Sequence, residues 1–472
     1  MKIAIAGYGL EGRANLEYFR AKFPEAEFVI FDENAKLENV PTDVEVVLGE
    51  GAFGQVQGFD LVIRTAGLAP RKIAQKDKHW SSTREFFAEC PALIIGVTGS
   101  KGKGTTCSFI TEILRAAGKK VHLLGNIGVA ALEILPQIQP GDIVVYELSS
   151  FQLWDMDQSP RVAAMTLIEP DHLDIHINLE EYLEAKTHIF TFQKPGDVAV
   201  YNENDVLVKE MVESTTKQTK AIPIPFLNKK FVHIKQGKFY YDTIEICSID
   251  AVKLPGEHNL RNAAAAISAV IATISTSSAS EDVLLTQRML NTSRSVTPSS
   301  LNNSEIEAIM SLRDAIKTGL ANFHGLPHRL KLVGEVGGVK FYDDSIATTP
   351  GSAIAAVKSF DEPKILILGG HDKGADYQPL GEAIEQSNVR QIFAIGANRA
   401  KITEQISAKT TTPIRQLDNQ KMSEIVRIAS QTAESGDVVI LSPAAASFDM
   451  FHDYKDRGEQ FIAAVKELSQ CK

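Results

Sequence analysis

The sequence predicts an α/β protein of three units, with a Rossmann-like fold at each end and a P-loop nucleotide-binding fold between them. Short apolar strands alternate with helical patterns along the 472-residue chain. Two glycine-rich loops, at residues 7–12 and 98–106, each stand between a predicted strand and a predicted helix. About 150 residues per domain also fits three domains. We expect domains at residues 1–90, 91–325 and 326–472.

Composition and charge exclude several classes of protein. Hydrophobic residues make up 44% of the chain and charged residues 23%, which excludes global disorder. The net charge of −10 argues against a general nucleic-acid or membrane-surface binder. No apolar run approaches the roughly 18 residues of a membrane span. The four cysteines contain no CxxC pair and fit a reducing compartment. We expect a cytoplasmic monomer that inserts into no membrane.

The first unit has the pattern of a nucleotide-binding βαβ fold. A strand at Lys2–Ala6 runs into glycines at positions 7, 9 and 12, and a helical pattern continues to Phe19. The next strand, Glu27–Phe31, is followed directly by Asp32, and a third strand covers Asp60–Arg64. A GxGxxG motif alone would suggest NAD, but it is a weak signal by itself.

The second unit contains the most informative loop. The strand Leu93–Val97 precedes Thr98-Gly99-Ser100-Lys101-Gly102-Lys103-Gly104-Thr105-Thr106, and a helix is predicted from about Thr105. Glycines let backbone N–H groups converge on phosphate oxygens at a helix N-terminus, and Lys103 adds a positive charge. A hydroxyl shortly after the lysine can bind Mg²⁺. The spacing departs from GxxxxGK[ST], so this role moves to Thr105 or Thr106.

Two further residues carry chemistry that the pattern itself indicates. Glu147 ends the apolar strand that begins at Asp142. P-loop enzymes need an acidic residue at the end of a neighbouring strand to hold Mg²⁺. Lys186 lies on an apolar helical stripe within the predicted helix Leu179–Phe190. Such a lysine usually extends to water, but a buried amine is pushed toward neutrality. A neutral amine can add CO₂, and the resulting carbamate is an anionic metal ligand.

The rest of the chain adds strands, helices and an insertion. Residues 273–304 are rich in Ser, Thr and Asn, and we interpret about 275–304 as an exposed insertion. The remaining predicted elements are a strand at Val162–Ile168, a helix at Asn259–Ile274, and third-unit strands at Lys364–Leu368, Gln391–Ile395 and Asp437–Leu441.

Taken together, the motifs resemble those of the Mur ligases, ATP-dependent amide-forming enzymes of peptidoglycan precursor synthesis. The similarity covers nearly the whole chain apart from the insertion. The first motifs are residues 98–106, 125–128 (GNIG), 147–152 (ELSSFQ) and 171–174 (DHLD). Residues 258–262 (HNLRN), 325–329 (GLPHR), 343–348 (DDSIAT), 369–376 (GGHDKGAD) and 442–449 (SPAAASFD) are most similar to the D-glutamate-adding branch.

The resemblance implies a reaction, its substrates and its cofactors. The carboxylate of UDP-N-acetylmuramoyl-L-alanine would attack the γ-phosphate of ATP, and D-glutamate would then displace phosphate from the acyl phosphate. Thr98–Thr106, Asn259, Asn262, Arg329 and Asp344 would bind ATP. Thr105, Glu147, His172 and carbamylated Lys186 would bind Mg²⁺. The implied catalytic residues are Lys103, Glu147, His172 and Lys186.

The resemblance also implies where the two other substrates bind. Leu10, Asp32, Thr65, Gly67, Asn126 and Gln152 would contact the UDP-sugar. Lys373 would pair with the side-chain carboxylate of D-glutamate, and Thr348, Ser447, Phe448 and Tyr454 would surround the rest. Some family members have lysine where this chain has Ile346. The resemblance therefore leaves open that the enzyme adds an amino acid other than D-glutamate.

Other readings remain open at this point. A folylpolyglutamate synthase shares the phosphate loop but lacks the first unit. The ligase that adds meso-diaminopimelate or lysine normally carries DNPR in place of HDKGAD. A non-catalytic UDP-sugar-binding homologue would not need Lys103, Glu147, His172 and Lys186. An NAD dehydrogenase leaves the phosphate loop unexplained.

Overall fold

The computed structural model describes residues 1–37, 40–125, 130–171, 175–276, 303–372, 374–418 and 420–470. The chain divides into two compact units. Met1–Val252 and Leu260–Phe323 form the first, and Lys253–Asn259 and His324–Lys472 form the second. Within the described ranges, no helix has both the length and the apolar character needed to cross a membrane.

The first unit begins with a five-stranded parallel sheet of order β3-β2-β1-β4-β5. Its strands are β1 (Lys2–Ala6), β2 (Glu27–Asp32), β3 (Glu45–Leu48), β4 (Leu61–Arg64) and β5 (His79–Ser81), with helices α1 (Leu10–Lys22) and α2 (Ser82–Glu89). Leu16 and Phe19 of α1 are buried in the core of this unit. The Ser81 hydroxyl caps α2 by accepting from the Arg84 N–H at 3.2 Å.

A second parallel sheet in the same unit has six strands in the order β11-β10-β9-β6-β8-β7. Its strands are β6 (Leu93–Thr98), β7 (Val121–Gly125), β8 (Ile143–Glu147), β9 (Val162–Met165), β10 (Val198–Asn202) and β11 (Ile222–Phe226). The helices are α3 (Lys103–Ala116), α4 (Ala131–Ile134), α5 (Ser150–Leu153), α6 (Leu179–Thr191), α7 (Val206–Thr219), α8 (Glu257–Thr276) and α9 (Asn303–Asn322). A small antiparallel sheet holds β12 (Val232–Lys235), β13 (Lys238–Tyr241) and β14 (Ile244–Ser248).

The second unit is a six-stranded sheet of order β15-β16-β20-β17-β18-β19, parallel except for the β15–β16 pair. Its strands are β15 (Lys331–Val336), β16 (Val339–Asp343), β17 (Lys364–Gly369), β18 (Val389–Ile395), β19 (Ile414–Gln416) and β20 (Val438–Leu441). Its helices are α10 (Pro350–Val357), α11 (Gln378–Glu385), α12 (Arg399–Ser407), α13 (Met422–Thr432) and α14 (Tyr454–Gln470). The predicted α/β class with parallel sheets is confirmed.

Two sequence predictions need correction. The strand predicted at Val162–Ile168 ends at Met165, because the following residues turn toward the glycine loop. There the Thr166 hydroxyl donates to the Lys101 carbonyl at 2.7 Å. The Ser-rich insertion is shorter than predicted, since α8 continues to Thr276 and α9 starts at Asn303. Its central part lies outside the described residues.

Candidate functional site

The motif residues lie at the carboxyl ends of neighbouring parallel strands, where open α/β sheets bind their ligands. In the second sheet, the glycine loop follows β6, Glu147 ends β8 and the 166–171 segment follows β9. The order β9-β6-β8 makes these three strands neighbours. The register pairs Val97 with Glu147, which brings the carboxylate-bearing strand end beside the loop. The fold therefore assembles this site from segments far apart in sequence.

The glycine loop leads directly into the N-terminus of α3. Helix α3 begins at Lys103, two residues earlier than predicted, and Gly102 is its N-cap in a left-handed conformation with φ of 85°. The first turn of a helix leaves its N–H groups without intrahelical acceptors, which favours phosphate. Asn262 of α8 packs against this cap, since a Cβ on Gly102 would lie 2.3 Å from its Oδ1. Asn262 thus lies against the glycine loop at the start of α3.

Alanine at position 102 is expected to weaken ATP binding by about tenfold or more, because the loop must move both its backbone and Asn262. Gly118 provides the matched control. It has φ of 75° just beyond the other end of α3, and a Cβ there would meet nothing within 4 Å. Both variants should lose about 1 kcal/mol of stability from backbone strain. Titration calorimetry with ATP should separate them, and equal affinities in the two variants would contradict the assignment.

Two lysine amines converge on one carbonyl of the loop. Lys103 Nζ donates to the Gly99 and Ser100 carbonyls at 3.0 Å each. Lys186 Nζ donates to the same Gly99 carbonyl at 2.8 Å and lies 4.8 Å from the centre of the Tyr182 ring. The Tyr182 hydroxyl in turn shares a 2.5 Å hydrogen bond with Ser100. Both amines therefore lie beside the same carbonyl group of the glycine loop.

Lys186 is buried, with 2% of its surface exposed, and its pKa is well below the ordinary lysine value. Burial is the main cause, and the charge of Lys103 adds to it, while Asp171 and Glu147 oppose it. The sequence placed Lys186 on an apolar stripe without deciding whether it reached water. The structure shows that it does not, and a lowered pKa increases the fraction of amine able to react with CO₂.

The donors around the loop fit Mg²⁺, which prefers oxygen ligands and usually combines one or two carboxylates with phosphate oxygens. Glu147 is buried at the strand end, and Thr105 lies in the first turn of α3. The neighbouring Thr106 has a buried hydroxyl that makes no hydrogen bond to any residue of the described ranges. The described ranges hold no group of three or more His, Cys, Asp or Glu side chains suited to a metal.

Neighbouring elements hold the remaining loop residues in place. The Thr98 hydroxyl donates to the Leu148 carbonyl at 2.7 Å, and the Ser100 hydroxyl donates to the Glu169 carbonyl at 2.7 Å. Lys101 is more than half exposed and pairs with the Glu169 carboxylate at 2.6 Å. Sequence reasoning did not single out Glu169, which carries no motif signal, although it holds the loop from the segment that follows β9.

The first sheet places four of the predicted UDP-sugar residues, Leu10, Asp32, Thr65 and Gly67, at neighbouring loops. Asp32 ends β2 and accepts from the Tyr8 N–H at 2.6 Å, while Thr65 and Gly67 follow β4. Leu10 starts α1 and is 86% exposed, so its side chain is available to a ligand. Glu11 was missed by the sequence analysis. Its carboxylate accepts from the Ala66 N–H at 2.9 Å and links the glycine loop to the turn after β4.

Gln152 has a structural role in addition to the predicted contact with substrate. Its Oε1 accepts from the Ser149 N–H at 2.9 Å, while the Ser149 hydroxyl accepts from the Gln152 N–H at 3.2 Å. This is a capping box at the start of α5. The SSFQ motif therefore has a local folding reason that the sequence analysis did not give.

In the second unit, three predicted motifs follow adjacent strands. Asp343 ends β16, Gly369 ends β17 and Leu441 ends β20, and the order β16-β20-β17 makes these strand ends neighbours. The His371 N–H donates to the Ala446 carbonyl at 2.8 Å, which joins two of the loops. Asp344, Thr348, Ser447 and Tyr454 all lie on these connected segments, while Phe448 is 65% exposed.

Arg457 joins these loops from α14, and sequence reasoning missed it. Its fully buried guanidinium donates to the Ser345 hydroxyl at 2.9 Å and to the Ser345 carbonyl at 2.8 Å. It also donates to the Ala445 carbonyl at 3.1 Å and the Ala446 carbonyl at 3.3 Å. Burial lowers the pKa of Arg457 to about 10. An arginine in the last helix carries no local signal that it will organise loops more than ten residues away.

Asp344 is buried, and burial raises its pKa to about 7. Its Oδ1 accepts from the Leu330 N–H at 3.1 Å and its Oδ2 from the Ser442 hydroxyl at 2.7 Å. These bonds and Arg329 lower the pKa, whereas Asp343 raises it. Asp344 is thus held in the second unit, and Arg329 is exposed in the segment before β15.

The raised pKa of Asp344 predicts a pH-dependent stability of the second unit. Its stabilising contribution is complete below about pH 4 and is lost as the pH rises through about 7, because the folded state then gives up a proton it held. The Asp344→Asn variant should not show this dependence. Compared with the wild-type protein, its free energy of unfolding should be higher at pH 8 than at pH 4 by up to about 4 kcal/mol. Thermal melts of both proteins across this range test it. Parallel pH profiles would contradict it.

Some predicted residues lie outside the described residues. These are Asn126, His172 and Lys373. Asn259, which is also predicted to bind ATP, lies near the start of α8. Its Nδ2 donates to the Pro255 carbonyl at 2.7 Å.

Comparisons with known proteins agree with this architecture. The profile of the Mur ligase middle domain matches residues 97–270, and that of the Mur ligase glutamate ligase domain matches residues 328–445. The chain is 33% identical to the UDP-N-acetylmuramoylalanine–D-glutamate ligase of Acetivibrio thermocellus, over 99% of this chain and 96% of that protein. It is 34% identical to the enzyme of the same name from Clostridium tetani, over 99% of this chain and 97% of that protein.

A solved structure supports the fold. The structure of the UDP-N-acetylmuramate-alanine ligase MurC from Thermotoga maritima matches with a TM-score of 0.56 at 15% identity, and the match covers 99% of each chain. The phosphate loop, the Glu147 strand end and the buried Lys186 lie within the matched middle domain. With a relative at 33% identity along almost its whole length, the chain belongs to the Mur ligase family.

Proposed function

We propose that this protein is an ATP-dependent ligase that joins D-glutamate to UDP-N-acetylmuramoyl-L-alanine and releases ADP and phosphate, a step of peptidoglycan precursor synthesis. The arrangement of Lys103 and Lys186 on the Gly99 carbonyl, beside the Glu147 strand end, carries the proposal. Full-length similarity to relatives named for D-glutamate ligation supports the choice of substrates.

The proposed reaction needs charge neutralisation and alignment more than covalent help from the protein. Lys103 and the N–H groups at the start of α3 would hold the phosphates of ATP. The substrate carboxylate would attack the γ-phosphate and release ADP. The amine of D-glutamate would then attack the carbonyl carbon of the acyl phosphate, so that the amide bond forms and free phosphate leaves. Mg²⁺, when bound by Thr105, Glu147, His172 and carbamylated Lys186, would neutralise the phosphate oxygens.

In this proposal each predicted domain binds one of the three substrates. Residues 1–90 would bind the UDP-sugar, 91–325 would bind ATP and 326–472 would bind D-glutamate. In the last of these, Lys373 would meet the substrate carboxylate, with Thr348, Ser447, Phe448 and Tyr454 around it. The loop connection through His371 and Arg457 supports this placement.

We also propose that the protein acts as a monomer in the cytoplasm. Its proposed substrates, ATP and a UDP-sugar, are cytoplasmic metabolites. Cys90, Cys107 and Cys247 are free thiols, as a reducing compartment permits. Light scattering during gel filtration tests the monomer, and a mass of two or more chains would contradict it.

The proposed function is tested by phosphate release in the presence of ATP, Mg²⁺ and UDP-N-acetylmuramoyl-L-alanine. D-glutamate, L-glutamate, L-lysine and meso-diaminopimelate are supplied one at a time. Release with D-glutamate, and a product whose mass includes one glutamyl residue, is the expected result. Release with a different amino acid would support the proposed chemistry and contradict the proposed specificity for D-glutamate. The panel is needed because Ile346 stands where some family members have lysine. No release with any of them would favour a UDP-sugar-binding homologue without activity.

A further inference from the structure

The carboxyl end of β4 carries a fully buried arginine that the proposed reaction does not use. Arg64 is the last residue of β4, and none of its surface is exposed. Burying a guanidinium is costly unless its donors are paired, so the partners of such a residue define what it holds together. The partners of Arg64 come from two segments about 90 residues apart.

The first set of partners lies in the turn that follows β4. Arg64 Nη1 points at the carbonyls of Thr65, Ala66 and Leu68, each at 3.2 Å. One guanidinium nitrogen therefore lies within hydrogen-bond distance of three carbonyl oxygens of the same turn. Arg64 holds this turn together with the Glu11 carboxylate and a 3.1 Å backbone bond from the Leu68 N–H to the Thr65 carbonyl.

The second set lies in and after α5, beside the second sheet. Arg64 Nε and Nη2 donate to the two carboxylate oxygens of Asp155 at 2.7 and 2.5 Å, and Nη2 also donates to the Phe151 carbonyl at 3.0 Å. A bidentate arginine–carboxylate pair has a fixed, planar geometry. The distance between the turn and α5 is therefore set by one rigid side chain.

Both segments carry residues proposed for the same substrate. Thr65 and Gly67 lie in the turn, and Gln152 lies between Phe151 and Asp155. A UDP-sugar that reaches from the first sheet to the phosphate loop must contact both segments at once. Binding is strengthened when such a separation is already set before the ligand arrives.

A second arginine fastens the far end of the same segment. Arg71 pairs with Glu181 of α6 at 3.1 Å, lies 5.5 Å from the centre of the Trp154 ring and donates to the Ile175 carbonyl. Residues 64–71 are thus attached at both ends to elements of the second sheet. This arrangement leaves little freedom for the turn to move relative to α5.

We propose that Arg64 and Asp155 are a positioning pair that sets the separation of the two UDP-sugar-binding segments, and so determines affinity for that substrate but not for ATP. The inference rests on the proposed function. It assigns Arg64 no contact with the reacting atoms, and it predicts a selective effect on one of the three substrates.

The test compares Michaelis constants in Arg64→Lys, Arg64→Met and Asp155→Leu. Each should raise KM for UDP-N-acetylmuramoyl-L-alanine by about tenfold or more, since small misplacements of substrate-holding groups have large effects. KM for ATP and kcat at saturating UDP-sugar should change by less than about twofold. Lysine keeps the charge but cannot make the bidentate pair, so its failure to rescue KM is part of the expected result.

The double variant R64M/D155L separates positioning from folding. It leaves no unpaired buried charge, so it should recover part of the melting temperature lost in Arg64→Met. Its KM for the UDP-sugar should stay high, because the three turn carbonyls still lack their donor. A double variant with wild-type KM would overturn the proposal, as would equal losses of affinity for ATP and the UDP-sugar.

Arg84 supplies a matched control. It pairs with Asp157, only two residues beyond Asp155, and donates to the His79 carbonyl at 2.9 Å, but it makes no hydrogen bond to the turn after β4. Arg84→Gln should therefore leave both Michaelis constants unchanged. A rise in KM for the UDP-sugar as large as that in Arg64→Met would mean that any loss of an ion pair here has the same effect, and the proposal would fail.

Failure of the proposed function can be told apart from failure of the pair. If the wild-type protein forms no product, the ligase assignment fails, and hydrogen exchange then tests the pair alone. In Arg64→Met the amides of residues 65–68 and 151–155 should lose protection together, while those of α3 keep theirs. Unchanged protection in both segments would overturn the positioning role.

Discussion

Replacing Lys103 by alanine is expected to abolish phosphate release, lowering kcat by about a thousandfold or more. Lys103 lies at the first position of α3, and its amine already points at the carbonyls of the glycine loop. A phosphate placed at the helix N-terminus would therefore meet both the N–H groups and this amine. Without the amine, the charge that develops on the phosphate oxygens in the transition state loses its fixed counter-charge.

The neighbouring Lys101 provides the control for this prediction. It belongs to the same loop but is more than half exposed and pairs with Glu169. Lys101→Ala should keep most of the activity, because the variant keeps the backbone N–H groups proposed to hold phosphate, and an exposed ion pair contributes little. The two variants should be compared by phosphate release and by melting temperature. A folded Lys103→Ala protein with full activity would remove Lys103 from the proposed site.

Lys186→Ala is expected to lower turnover by about a hundredfold or more, since even the partners of metal ligands typically matter by about 10–100-fold. The amine is buried against Tyr182 and the Gly99 carbonyl, and its lowered pKa favours the neutral form that reacts with CO₂. A carbamate there would place an anion next to Lys103 and offset the repulsion between the two amines. The wild-type enzyme should accordingly lose activity in CO₂-depleted buffer and regain it with bicarbonate.

Carbamylation can be observed directly with ¹³C-bicarbonate. A carbamate carbonyl resonance should appear in the wild-type spectrum and disappear in Lys186→Ala. Lys364 is the control, because it is also buried and its pKa is also lowered. It lies in the second unit, as the first residue of β17, and its Nζ donates to the Glu362 carbonyl. Lys364→Met should keep the resonance. If the resonance were absent from the wild-type protein, Lys186 would have to act as an amine.

Much of the fold could be predicted because its signals are local. The strand Lys2–Ala6 is apolar on both faces and ends at a glycine, as a buried parallel strand requires, and the structure places it at the centre of its sheet. The helix predicted at Leu179–Phe190 extends by one residue to Thr191. The strand at Val162–Ile168 was overestimated, because the apolar run continues beyond the point where side-chain bonds to the phosphate loop draw the chain out of the sheet.

The sequence indicated residues for the candidate site but not the contacts between them. Spacing alone indicated a phosphate loop around Lys103, an acid at Glu147 and an unusual lysine at Lys186. It gave no sign that Lys103 and Lys186 share one carbonyl, since that contact joins residues 83 positions apart in the chain. The roles of Arg64 and Arg457 could not be predicted either, because a buried arginine and an exposed one look the same in a sequence.

The sequence by itself determined the α/β class, the family and the identity of the chemical groups, because these depend on short-range periodicity and on motifs whose residues are close together. The tertiary structure alone decided which of those groups are buried and which segments meet. Burial removes water from Lys186 and from Asp344 and so moves their pKa values in the directions that disfavour charge. The same packing lets the Arg64 guanidinium connect the turn after β4 with the residues that follow α5, two segments proposed to bind the same substrate. These effects depend on three-dimensional distance and on the exclusion of water, which the order of residues does not state.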